Sequence, residues 1–241
     1  MSPSLSADLG NLLKENGASL VGYADLSPVG EDERGAMPVG VAMAMALTPS
    51  IVAGITDGPT EEYAREYDRV NGLLGGLAEL GAAFLRKSGF RAEGRPATQH
   101  NLPADLITPL PQKTLATLAG LGWIGKCALL VTPEYGTAVR LGSILTDAPL
   151  RVGTPITESK CGNCRVCADI CPGHAPTGRD WKRGMPRKEF FDAFACQDAC
   201  VRIGRERGIS HLICGKCVAL CPYTRKWLEQ ERGRASGGGH R

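Results

Sequence analysis

The sequence predicts a layered α/β domain followed by a small cysteine-rich domain. Helix and strand periodicities alternate over the first 150 residues, two cysteine runs that each end in Cys-Pro occupy 161–171 and 214–221, and Pro149 with "GTPITESK" supplies a joint between them. The expected division is therefore 1–152, 153–230 and a Gly-rich, disordered tail over 231–241.

The elements follow in order. "LSADLGNLLKENG" places Leu5, Leu9, Leu12 and Leu13 on one helical face and stops at Gly17. "ASLVGYADL" reads as a short strand and "VGVAMAMAL" as a buried one. Residues 61–87 read as a long helix with Thr60 as its cap, its apolar face running from Tyr63 and Tyr67 through Val70, Leu74, Leu77 and Leu80 to Phe84. Gly72, Gly75, Gly76 and Gly81 inside it each cost about 1 kcal/mol against alanine, which predicts close approach of another backbone or a ligand. Strands are expected at "FRAEG", "CALLVTP" and "AVRLGSILTD", with a helix at "QKTLATLAGLG". "FFDAFACQDACVRIGRERG" reads as a helix of the second domain. His240 is a solvated tail residue.

"ESKCGNCRVCADICPGHAP" holds Cys161, Cys164, Cys167 and Cys171 in the spacing C-x2-C-x2-C-x3-C-P. In the bacterial ferredoxin run of that spacing, three cysteines wrap one [4Fe–4S] cubane and the fourth ligates a second. A partner run is thereby required, and "HLICGKCVALCP" provides Cys214, Cys217 and Cys221. Cluster one then takes Cys161, Cys164, Cys167 and Cys221. Cluster two takes Cys171, Cys214, Cys217 and either Cys196 or Cys200 from "DAFACQDAC". Cys127 and one cysteine of that pair remain over. A disulfide framework is disfavoured by the polar start "MSPSLSADLGNLLKENG", which lacks an apolar signal core. Zinc sites want C-x2-C pairs set well apart.

The chain has 241 residues, 43% of them hydrophobic, and no apolar stretch reaches the ~18 residues needed to span a bilayer. A cytoplasmic, reducing location is expected, with no membrane partner. The net charge of +3 divides into −5 over residues 1–150 and +8 over 151–241. Each oxidised four-thiolate cubane carries about −2, so the basic excess largely offsets the clusters.

"LAGLGWIGKCALLVTPEYGTAVRLGSILTDAPL" is the second informative region. Gly120, Gly122 and Gly125 permit close backbone approach, Trp123 offers a flat apolar face and Lys126 a charge. These glycines end a helix and lead into a strand, the reverse of a dinucleotide fingerprint. "TPEYG" is a turn entered at Pro133 and left at Gly136.

The combination of "AGLGWIGK", "TPEYG", "LTDAPL" and "CGNCRVCADICPGHAP", with "DLSPV" and "GPTEEYAREYDRVN" earlier, resembles small members of the epoxyqueuosine reductase family and, more distantly, the corrinoid reductive dehalogenases. The resemblance implies a nitroreductase-like α/β domain that binds cobalamin, then a double-cluster ferredoxin-like domain that passes electrons to it. It implies a reductase fed by a low-potential donor such as ferredoxin or flavodoxin. It places Gly120, Gly122, Trp123 and Gly125 beside the corrin, with Lys126, Thr132, Glu134, Tyr135, Gly136 and Arg140 near its polar edge. It favours Cys196 over Cys200 for cluster two, because Cys196 follows "DAFA".

Two departures accompany it. The family's larger members continue after the ferredoxin domain with a helical-repeat extension that helps hold tRNA, whereas this chain stops soon after Cys221. The family's proton-donating aspartate falls in the segment matching "NLPADLITPL", where Asp105 stands near it; Asp105 and Tyr135 are the catalytic candidates. The substrate expected is a small molecule or a weakly held tRNA, gripped through Lys182, Arg183, Arg187, Lys188, Arg202, Arg205 and Arg207. Flavin in place of cobalamin, or a non-enzymatic electron carrier or corrinoid-reducing partner, are the alternatives.

Overall fold

The computed structural model describes residues 3–97 and 104–237. Its elements are α1 (Pro3–Glu15), β1 (Leu20–Asp25), α2 (Glu31–Arg34), β2 (Val39–Ala46), α3 (Pro49–Ala53), α4 (Glu61–Lys87), β3 (Ala92–Arg95), α5 (Gln112–Leu118), β4 (Trp123–Ile124), β5 (Leu130–Val131), β6 (Val139–Thr146), α6 (Val166–Asp169), α7 (Ala193–Arg207), α8 (Lys216–Ala219) and α9 (Pro222–Gly237). A four-stranded sheet runs in the order β1-β2-β6-β3. β1 pairs antiparallel with β2, Leu20 opposite Ala44 and Asp25 opposite Val39. β3 pairs antiparallel with β6, Ala92 opposite Thr146.

The chain divides into two compact units whose segments interleave. Met1–Ala46, Asp68–Trp123 and Arg140–Thr157 form the first; Leu47–Tyr67, Ile124–Val139 and Glu158–Arg241 form the second. Packing thus groups 47–67 and 124–139 with the cysteine runs, where a division at 152 would place them with the sheet. Long-range contacts set this grouping, and local periodicity carries no record of them.

In the first unit the core takes Leu9 and Leu13 of α1, Met43 of β2, Val70, Leu74 and Leu77 of α4, Leu115 of α5, and Ile144 and Leu145 of β6. The expected α4 face does not continue to its end: Leu80 is 36% exposed and Phe84 half-buried, while Leu85 is buried instead. α4 starts as its cap predicts, with the Thr60 hydroxyl accepting from the Tyr63 amide at 3.2 Å. Close approach accounts for Gly81, where a Cβ would lie 2.5 Å from Ile144 Cδ1 and 3.1 Å from Leu13 Cδ2. At Gly72 and Gly76 a Cβ would meet no atom within 4 Å among the described residues, and nothing in the structure explains those two glycines.

Tyr23 of β1 donates its hydroxyl to the Ser6 carbonyl, and burial pushes its phenol up to about 12. The folded state therefore favours the protonated phenol. That contribution is complete below about pH 10, the unfolded value, and is lost as pH rises through the folded value. Unfolding by urea is expected to become easier from about pH 10 to 12, and Tyr23→Phe to remove that part of the decline.

Two sequence expectations are corrected. "CALLVTP" is not a strand of the sheet: only Leu130–Val131 are extended, in a separate two-stranded pairing with Trp123–Ile124. Ala128 turns through a positive φ of 58° between Gly125 and Leu129, and the next turn begins at Thr132, so no room for a full strand is left. Residues 231–237 are not a disordered tail but the end of α9. Trp227 and Leu228 anchor that helix by burial, and Arg234 pairs with Glu231 one turn earlier. His240 lies outside the described residues.

Candidate functional site: two cysteine sets and the turn that joins them

None of the ten cysteines is in a disulfide. In the second unit they approach one another across the two runs. Cys161 and Cys221, sixty positions apart, are electrostatic neighbours. Burial pushes the Cys221 thiol up, while the backbone amides of Thr224 and Tyr223 and the Thr137 side chain hydrogen-bond it and act against that. Cys171, Cys196, Cys200 and Cys214 form a second neighbourhood. Burial raises Cys214, the Lys216 amide opposes this, and Cys196 and Cys171 add like-charge repulsion.

Helix α7 brings Cys196 and Cys200 to that neighbourhood one turn apart. Asp192 caps it, accepting from the Ala195 amide, and Gly208 ends it with a left-handed φ of 69°. Their mutual hydrogen bond holds the Cys196 thiol below its usual range and, with burial, pushes Cys200 up. Cys200 is only 6% exposed.

Cys127, buried at 6% exposure, touches both runs. A hydrogen bond with Cys167 draws its thiol down, but the bond with Cys217 and full burial outweigh that and drive it well up. Cys217 therefore neighbours the leftover Cys127, a contact that spacing gave no reason to expect. Among the described residues no three Cys, His, Asp or Glu side chains converge closely enough to hold a single metal ion. The donor set nevertheless suits iron–sulfur chemistry: thiols from distant segments meet in two groups, and a cubane keeps its four ligand sulfurs apart.

"TPEYG" closes as a turn, the Thr132 amide donating to the Gly136 carbonyl at 2.8 Å and the Gly136 amide returning to Thr132 at 3.0 Å. This turn docks on the second cysteine run. The Thr137 amide donates to Thr224 Oγ1 at 3.0 Å, and Thr137 Oγ1 lies 3.3 Å from the Cys217 and Val218 carbonyls. Tyr135 packs edge-on against Trp227, ring centroids 5.5 Å apart. Thr137 and Thr224 are buried and were missed by sequence reasoning, because a hydroxyl bonded to a distant backbone has no spacing signature. Thr224→Val leaves the buried Thr137 amide without its acceptor, and a loss of about 1–3 kcal/mol is expected in urea denaturation.

The residues proposed for the corrin are not gathered in one unit. Gly120, Gly122, Trp123 and Arg140 belong to the first, and Gly125, Lys126, Thr132, Glu134, Tyr135 and Gly136 to the second. Where these glycines admit a close approach, the chain itself fills it. A Cβ would lie 2.7 Å from the Thr154 carbonyl oxygen at Gly120, 2.7 Å from Val131 Cγ2 at Gly125 and 2.2 Å from the Thr224 amide nitrogen at Gly136. Trp123 is 1% exposed, Arg140 donates to Asn71 Oδ1 at 2.9 Å, and Glu134 is exposed. Lys126 is buried among the carbonyls of the first cysteine run. Asp105 is exposed in the first unit, its carboxylate accepting from the Ile107 amide at 3.0 Å, and residues 101–103 of its segment lie outside the described residues. Tyr135 is in the other unit, so the two catalytic candidates are not brought together within one.

The fold of the chain has counterparts among solved structures. The fold matches that of a catabolic reductive dehalogenase solved with 3-bromo-4-hydroxybenzoic acid (TM-score 0.69, 20% identity, 95% of this chain and 33% of that one). It also matches an epoxyqueuosine reductase solved with an epoxyqueuosine-modified tRNA-Tyr stem loop (TM-score 0.59, 19% identity, 92% and 66%). In sequence the chain is similar to epoxyqueuosine reductases. It is 48% identical to that of Synechococcus sp. over 158 residues, 61% of this chain and 46% of the relative. It is 34% identical to that of Listeria monocytogenes over 119 residues, 48% of this chain and 30% of the relative. The chain spans less than half the length of these curated relatives, and no family model matches it. No helix among the described residues is long and apolar enough to cross a membrane.

Proposed function

We propose that the chain is an iron–sulfur oxidoreductase of the epoxyqueuosine reductase type. Cys161, Cys164, Cys167 and Cys221 would hold one [4Fe–4S] cluster, and Cys171, Cys196, Cys214 and Cys217 the second. The observation that carries this reading is the approach of Cys161 to Cys221, and of Cys171 to Cys196 and Cys214, across segments far apart in sequence. The likeness to epoxyqueuosine reductases supports it independently. When bound, the clusters supply single-electron relay and a cobalamin supplies the strongly reducing metal centre. The chain's own part is to orient these thiols, which are half-buried in the second unit. The cobalamin assignment rests on the likeness alone, a further neighbour of the same fold being described as acting in B12-dependent dehalogenation. An external low-potential donor such as ferredoxin or flavodoxin completes the proposal.

For substrate, an epoxyqueuosine-bearing tRNA stem loop is the first to test, since a neighbour was solved with one. Part of the basic surface is already engaged: Arg207 donates to the Asp57 and Pro59 carbonyls, and Lys182 pairs with Glu158. Lys188, Arg183 and Arg205 are exposed. Anaerobic reconstitution followed by iron and sulfide analysis and a visible spectrum tests the cofactors. Cluster absorbance with corrin bands supports the proposal, and cluster absorbance alone indicates an electron carrier. Stem-loop affinity that falls steeply between about 50 and 200 mM salt supports a phosphate grip, and a flat profile points to a small substrate.

A further inference from the structure

Lys126 is a lysine side chain at 4% exposure, a costly place for a charge unless it is paired and hydrogen-bonded. Its Nζ donates to the Gly162 carbonyl at 2.6 Å and to the Cys164 carbonyl at 2.9 Å, the backbone of the Cys161–Cys164 turn. Among the described residues the carboxylate oxygen facing it is Asp180 Oδ1, a buried atom of a side chain 39% exposed, and it stands 3.8 Å away, beyond hydrogen-bond reach. Carbonyl dipoles and one incomplete ion pair leave much of the ammonium's charge uncompensated within the protein. The cysteines beside it supply the missing negative charge once they are thiolates holding iron, and that charge grows by one unit on reduction.

We infer that Lys126 is a positioning residue that fixes the Cys161–Cys164 turn, and that its buried charge raises the reduction potential of the cluster held there. The inference rests on the cluster reading above. A nearby cation favours the more negative, reduced state, so removing it makes reduction harder. Removing the negative charge of Asp180 does the opposite while leaving both carbonyl hydrogen bonds of Lys126 in place.

The test is a potentiometric titration of anaerobically reconstituted protein, followed by electron paramagnetic resonance, on wild type, Lys126→Met, Lys126→Arg and Asp180→Asn. Lys126→Met is expected to shift one of the two cluster signals to lower potential, Lys126→Arg to restore it, and Asp180→Asn to shift the same signal upward. Should Lys126→Met fail to retain iron, Asp180→Asn decides alone. An unshifted or lowered potential in Asp180→Asn overturns the inference, as does a Lys126→Met protein that keeps its iron with both potentials unchanged. A wild-type chain that takes up no iron overturns the cluster reading itself, and this inference with it.

Discussion

Cys196→Ser is expected to lower the iron bound after anaerobic reconstitution from about eight atoms per chain to about four, with loss of one of two cluster signals. Spacing alone leaves Cys196 and Cys200 equivalent. Burial differs between them: Cys200 is 6% exposed, whereas Cys196 is half-buried and more open to a metal. Cys200→Ser and Cys127→Ser are therefore expected to keep about eight irons. If Cys200→Ser is the change that halves the iron, the assignment within this pair is reversed. If Cys127→Ser does so, its contacts with Cys167 and Cys217 are those of a ligand.

Gly136→Ala is expected to cost about 2–5 kcal/mol, read as a lower urea midpoint at unchanged slope. Two penalties combine. Gly136 has a left-handed φ of 59°, which a side chain adopts only at a cost, and a Cβ there would lie 2.2 Å from the Thr224 amide nitrogen and 2.7 Å from its Cα. Both opposing atoms are backbone, so a rotamer change cannot relieve the clash. Pro133→Ala, at the exposed entry of the same turn, is expected to stay within about 0.5 kcal/mol of wild type. Equal losses at the two positions would mean that the turn is not docked on Thr224.

Helices α1, α4 and α7 were legible because each carries a continuous apolar face or a capping residue that acts within its own few turns. The approach of Cys161 to Cys221 and of Cys171 to Cys214 was legible for a different reason: cluster chemistry constrains the spacing of its ligands, so Cys171 demanded partners in a run more than forty residues away, while the contact of Cys217 with Cys127 had no such signal. The strand expected at "CALLVTP" failed because apolar content survives there while Ala128 and Pro133 break the extended backbone. The roles of Lys126, Thr137 and Thr224 were not legible. Each acts on the backbone of a segment more than thirty positions distant, and a carbonyl oxygen is the same at every residue. The glycines before Lys126 were read as making room for a ligand, and where the structure shows a close approach it is to the chain's own atoms.

The docking of Thr137 on Thr224 spans 87 positions, and both cysteine neighbourhoods draw on residues beyond 213. During synthesis, the first cysteine run emerges well before Cys214, Cys217 and Cys221. A nascent chain therefore presents Cys161, Cys164 and Cys167 as unpaired thiols through the interval in which some fifty further residues are made. Contacts of such long separation form late. Oxidation in that interval would cross-link thiols that the finished protein keeps apart, so the yield of loaded protein should depend on how reducing the cell is while the chain is being translated, more than on its state afterwards.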